Sequence, residues 1–103
     1  MNNIIQDNIN GSGDSFVYFL HEEDYFSTKL FKDYIENVRL LNIKNTEKEL
    51  LKKVIATNEY ILRCFIYHFL PEDLCVIKNI PLKNLNDYIE MISDENLRLI
   101  SLL

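Results

Sequence analysis

The strongest constraint on this chain is one stretch, Thr46 to Leu70, that holds neither glycine nor proline and stops at Pro71. It opens on Thr46-Glu47-Lys48-Glu49, the pattern of a capping box, in which the Thr hydroxyl accepts from the third helical amide and the Glu reaches back. Leu50, Leu51, Val54 and Ile55 carry an apolar face, and from Tyr60 to Leu70 almost every residue is apolar. The pattern predicts a helix of about 24 residues, with Thr57-Asn58 as a place where it can break. Its apolar half is expected at the centre of the core, with the rings of Phe65 and Phe69 inside.

Shorter amphipathic segments flank it. One helix is expected from Ser15 to about Glu23, capped by Asp14 or Ser12, with Phe16, Phe19 and Leu20 on one face. A second runs from Ser27 to about Leu41 on the stripe Leu30, Phe31, Tyr34, Ile35, Val38 and Leu41, and Asn42 to Asn45 makes the turn. Pro71 suits a helix start, which Glu72 and Asp73 favour electrostatically, ending near Asn79. Pro81 repeats the arrangement with Leu82, Leu85, Tyr88, Ile89 and Ile92, and Ser93 or Asp94 caps a last short helix from Glu95 to about Leu102. Residues 1–13 are Asn-rich and hold both glycines, which reads as a loose arm, although Ile4, Ile5 and Ile9 are able to dock it. Only two Gly and two Pro occur, too few for the tight turns of a β-barrel or sandwich. The expected fold is therefore all-α: residues 14–103 as one compact bundle of about five to six helices around the central apolar one, a size that fits a single domain.

Charge narrows the partners. The net charge is −5, with residues 1–36 at −5, residues 37–63 at +3 and residues 64–103 at −3. Phosphate binding needs a basic surface, so nucleic acid is not the expected partner, whereas a basic protein is. Lys44, Lys48 and Lys52 step by four, but Glu49–Lys53 and Glu59–Arg63 have ion-pair spacing, so the basic stripe reads as a solvated helix face. The N-terminus has no basic and apolar secretory pattern, and no run approaches a membrane span. Cys64 and Cys75 make no disulfide framework, so a cytoplasmic protein with two thiols is expected.

Three sets of residues have the types of a reactive or metal site without its spacing or environment. Cys64, His68, Cys75 and His21 are the residue types of a zinc site, but Cys64 and Cys75 are not spaced as a metal knuckle. Cys64 and His68 are four apart, yet Cys64 lies in the most apolar segment, and burial raises a thiol's pKa rather than activating it. Glu22, Glu23 and Asp24 are consecutive, so their carboxylates fan apart instead of converging on a substrate. Neither an enzyme nor a metal or other cofactor is expected.

The run FVYFLHEEDYF, Phe16 to Phe26, then stands out. Three acids sit between aromatic clusters, either as a solvated helix junction or as an acidic, Tyr-bearing contact surface. On the second reading Asp14, Tyr18, Glu22, Glu23, Asp24 and Tyr25 are the contact residues, and Glu72 and Asp73, also beside aromatics, are a second acidic site. With CFIYHFLPEDL, this stretch, the length, the acidity, the helical pattern and the Asn/Ile/Lys-rich composition, the chain resembles bacterial toxin-immunity proteins. Within that group it looks most like those of contact-dependent growth inhibition systems whose toxins have a ribonuclease A-like fold. The resemblance implies a monomeric antidote that binds a basic, RNA-cleaving toxin one to one and covers its cleft. A small acidic adaptor or nucleic-acid mimic that binds another protein is the alternative.

Overall fold

A computed structural model describes residues 3–69 and 76–103. Among these the chain is all-α: α1 (Asn3–Asn10), α2 (Phe16–Glu22), α3 (Thr28–Arg39), α4 (Lys48–His68) and α5 (Leu85–Ser101), in a body of 42 × 26 × 21 Å. Its only β element among the described residues is an isolated parallel bridge between Tyr25 and Lys78. No described helix is long and apolar enough to cross a membrane.

The 21-residue α4 runs unbroken through Thr57-Asn58. Thr57 satisfies its hydroxyl on the Lys53 carbonyl one turn back, and Asn58 turns its amide inward, so neither competes with the helical ladder. Leu51, Val54, Ile61, Cys64 and Phe65 bury one face of it. Phe69, the C-cap, is 55% exposed, so only Phe65 of the two expected rings is core. The capping box does not form. Asn42 and Asn45 close the preceding turn on their own side chains, Thr46 Oγ1 donates to Asn45 Oδ1, and Glu47 takes the N-cap position without a side-chain bond.

α5 packs antiparallel along α4: Asn58 Nδ2 donates to Asn96 Oδ1 at 2.7 Å, and Asn96 Nδ2 to the Ile55 carbonyl at 3.4 Å. Where two helices were expected, one 17-residue helix passes through Ser93 and Asp94. The buried row Leu85, Tyr88, Ile92, Asn96 and Leu99 continues across the expected break, so tertiary packing overrides the local capping preference of Ser and Asp. Leu82, expected in that row, is exposed, and the helix starts after Asn84. The helix expected from Pro71 lies largely outside the described residues, and Val76–Ile80, its described end, is not helical.

α3 buries Phe31, Tyr34, Ile35 and Val38, with Ser27 as its N-cap. Arg98 of α5 donates to the Val38 and Leu41 carbonyls at 2.9 and 2.8 Å while paired to Glu95, which satisfies the end of α3.

The N-terminal segment is not loose where it is described. α1 packs on α2, α3 and α4, with Ile5 2% exposed. Asn8 is equally buried; its Oδ1 accepts from the Val17 amide at 3.0 Å and its Nδ2 donates to the Ile4 carbonyl. Gly11, at φ +60°, ends α1 in the left-handed conformation that glycine adopts without strain.

Candidate partner-binding surface

The turn after α2 is where the acids collect. Ser15, neither Asp14 nor Ser12, caps α2: its Oγ accepts from the Tyr18 amide at 3.0 Å. Phe16, Val17 and Leu20 face inward, Val17 taking the place expected of Phe19, which is only half-buried. After Glu22 the chain reverses at Asp24, φ 49°, a left-handed position that Asp tolerates better than most residues. The Phe19 carbonyl accepts from both Glu23 and Tyr25 amides, at 3.1 and 3.0 Å.

Two further bonds fix the far side of the turn. Lys78 donates its amide to the Asp24 carbonyl at 2.6 Å, and the Phe26 amide donates to the Lys78 carbonyl at 2.9 Å. The neighbouring segment is held in turn, since Ile77 donates to His68 Nδ1, and Asn79 Nδ2 donates to Tyr25 Oη and the Phe26 carbonyl. Phe26 anchors the turn in the core, fully buried, with its ring centroid 5.2 Å from Phe16, 5.8 Å from Phe65 and 6.0 Å, stacked, from Tyr88. Such aromatic pairs stabilise beyond their buried area by about 1 kcal/mol each.

Phe16 and Phe26 thus face inward and the acids outward. His21, Glu22, Glu23, Asp24 and Tyr25 form one exposed run on a backbone fixed at both ends. Tyr18, half-buried with its ring against Phe19, stands one helical turn before Glu22 on the same face. Asp14 does not join them. It lies at the opposite end of α2, about 10 Å along the axis, and lines a separate cleft with Asp7 and Asp33. Glu72 and Asp73 lie outside the described residues.

His21 points at α4, where its Nδ1 lies 2.9 Å from Tyr60 Oη. Behind this pair α1, α2 and α4 enclose a groove of about 580 Å3, lined by Asn8, Gly11, His21, Glu22, Lys53 and Tyr60 among others. Sequence spacing gave no sign of it, because its floor depends on the docking of α1. The run is not wholly free of cations either: Lys53 lines the groove beside Glu22, and Lys78 is bridged to Tyr25 through the backbone.

No group of three or more His, Cys, Asp or Glu among the described residues is arranged to hold a metal ion. Of the four Cys and His residues, His21 meets Tyr60, His68 accepts from Ile77, Cys64 is buried, and Cys75 lies outside the described residues. Comparison with protein-family models, with curated proteins and with solved structures yields no match. Fold and surface define the chain only as a small all-α protein with an acidic, Tyr-flanked turn held by backbone bonds to Phe19 and Lys78.

Proposed function

We propose that this chain is an immunity protein of the cytoplasm that binds and neutralises a basic, RNA-cleaving toxin domain by covering its active-site cleft. One observation carries the reading: Glu22, Glu23 and Asp24 are all exposed on a turn fixed by backbone bonds to Phe19 and Lys78. A solvated helix junction needs no such fixing. A docking surface benefits from it, because side chains already held in place lose less entropy on binding. A ribonuclease must hold phosphate, so its cleft is basic and complementary to such a turn. Tyr18 and Tyr25 add rigid rings with a polar edge beside the acids. The contact set is Tyr18, Glu22, Glu23, Asp24 and Tyr25, with Glu72 and Asp73 as a second acidic site and one chain per toxin.

The test is co-expression of the tagged chain with the product of the adjacent gene. Co-purification at one to one with a basic protein, and loss of that protein's RNA cleavage in the complex, is the expected result. A neighbouring product that does not bind, or one that binds with its cleavage undiminished, overturns the reading.

A further inference from the structure

His68, the last residue of α4, accepts a hydrogen bond at Nδ1 from the Ile77 amide at 3.0 Å. A ring nitrogen accepts only while it carries no proton, so this imidazole is neutral with its one hydrogen on Nε2. The imidazolium has two N–H donors and no acceptor. A proton taken up at Nδ1 therefore sets donor against donor. Ile77 is 3% exposed and His68 half-buried, so water is poorly placed to take over the amide. A buried amide without an acceptor is costly, and the segment that carries it has to shift.

That segment is the far support of the acidic turn. Lys78, next in the chain, donates its amide to the Asp24 carbonyl and accepts from the Phe26 amide. Asn79 Nδ2 donates to Tyr25 Oη at 3.2 Å and to the Phe26 carbonyl at 3.3 Å. Around the imidazole stand Cys64 one turn back on α4, Lys78 beside the bonded amide, and Asp24 and Tyr25 across the Tyr25–Lys78 bridge. α5 turns Ile89 and Ser93 to this end of α4, and its Glu90 and Asp94 are exposed. The ion pairs among the described residues, Lys29–Asp33, Glu49–Lys52 and Glu95–Arg98, do not include His68. Glu72, Asp73 and Cys75 lie outside the described residues. His21, the other histidine, has no such constraint: its Nδ1 meets Tyr60 Oη, and a phenolic oxygen both donates and accepts, so that contact survives protonation.

We propose that His68 is a pH-sensitive latch on the acidic turn: the neutral ring holds Ile77 and, through Lys78 and Asn79, the turn from Asp24 to Phe26, and protonation at Nδ1 releases them. Imidazole changes charge between about pH 5 and 8, so the latch is closed at the upper end of that range and open at the lower. Release is local. The Phe26 ring stays packed on Phe16, Phe65 and Tyr88, whereas the backbone bonds that position the exposed acids loosen. The latch belongs to the free chain and stands whether or not the turn meets a toxin.

Nitrogen and amide NMR of the full chain tests this without any partner. The His68 ring nitrogens should show an unprotonated Nδ1 at the upper pH. Amide protection from solvent exchange, corrected for its intrinsic pH dependence, is then followed down to about pH 5. Protection of Ile77, Lys78 and Phe26 should fall at least about tenfold, in step with the His68 ring titration, while Ile92 in the core of α5 holds. His68→Asn places an amide oxygen where Nδ1 stood, an acceptor that does not titrate, and should keep the three amides protected throughout. His21→Gln should leave the parental response intact, which assigns it to the right histidine. An Nδ1 found protonated at the upper pH overturns the proposal. So does protection that is constant through the His68 titration, or that falls equally at Ile92. A His68→Asn chain as pH-sensitive as the parent overturns it too; if that variant does not fold, the parental ring titration and His21→Gln still decide.

Discussion

Tyr34 of α3 donates its phenolic hydrogen bond to Asn58 Oδ1 of α4, and both side chains are fully buried. Asn58 passes the connection on to Asn96 of α5, so three helices are joined by one polar chain through an apolar core. No buried side-chain polar atom among the described residues lacks a partner, and this network has two consequences.

Asn58→Ala should be among the most destabilising single changes, because it strands the Tyr34 hydroxyl and one Asn96 acceptor together. Each stranded group costs about 1–3 kcal/mol, so the loss in urea unfolding should be about 3 kcal/mol or more. Tyr34→Phe strands only the Asn58 oxygen and should cost about half as much. The double variant should lose less than the two losses added, since both act on one bond.

Stability should also fall in alkali. Burial pushes the Tyr34 phenol far above its ordinary value of 10.0. The folded chain therefore keeps a proton that the unfolded chain gives up above pH 10. The contribution is fully present below that pH and declines above it by about 1.4 kcal/mol per pH unit. Unfolding free energies measured from pH 9 to 11 should show this slope on top of that of the exposed groups, and Tyr34→Phe should reduce it.

Phe65 and Phe69 separate a core ring from a surface one. Phe65→Ala should cost about 3–5 kcal/mol, whereas Phe69→Ala should stay within about 0.5 kcal/mol, both read by urea unfolding. Similar losses for the two would place Phe69 in the core.

Ile5→Ala tests the docking of α1. A loose arm would tolerate the change, but a 2% exposed Ile in the core should cost about 2–4 kcal/mol on truncation.

What the sequence disclosed follows from periodicity. The apolar stripes of α3 and α4 placed those helices, and Ser27 and Pro71 bracketed them, because spacing of three and four is a local property. The failures come from competition that spacing does not record. Asn45 captures Thr46 and undoes the capping box, while a continuous buried row carries α5 through Ser93 and Asp94. α1 is short and polar at most positions, so its helix depends on Ile5 and Asn8 finding partners elsewhere in the chain. The acidic turn was legible as a run of residues. The bonds that fix it were not, because they come from Lys78, far along the chain.

The acidic turn yields the last prediction, and its geometry dictates the substitutions. Asp24 sits at φ 49°, where Lys costs backbone strain but Asn is tolerated. Glu22→Lys/Glu23→Lys/Asp24→Asn therefore reverses the charge without disturbing the turn. The free chain should keep its stability within about 0.5 kcal/mol per site, because all three side chains are exposed. Binding to a basic toxin should weaken by several kcal/mol, as like charges now meet across the interface. The parent should bind through fast association that slows as salt rises, since charges beyond about 10 Å are screened at 0.1 M. Lys53 and Lys78 lie beside the acids and offset part of their field, so Lys78→Gln should speed association slightly. Stopped-flow association rates for parent and variants, at two salt concentrations, read all of this at once. A folded triple variant that still neutralises the toxin at parental affinity would remove this turn as the recognition surface and leave Glu72 and Asp73 as the next residues to reverse.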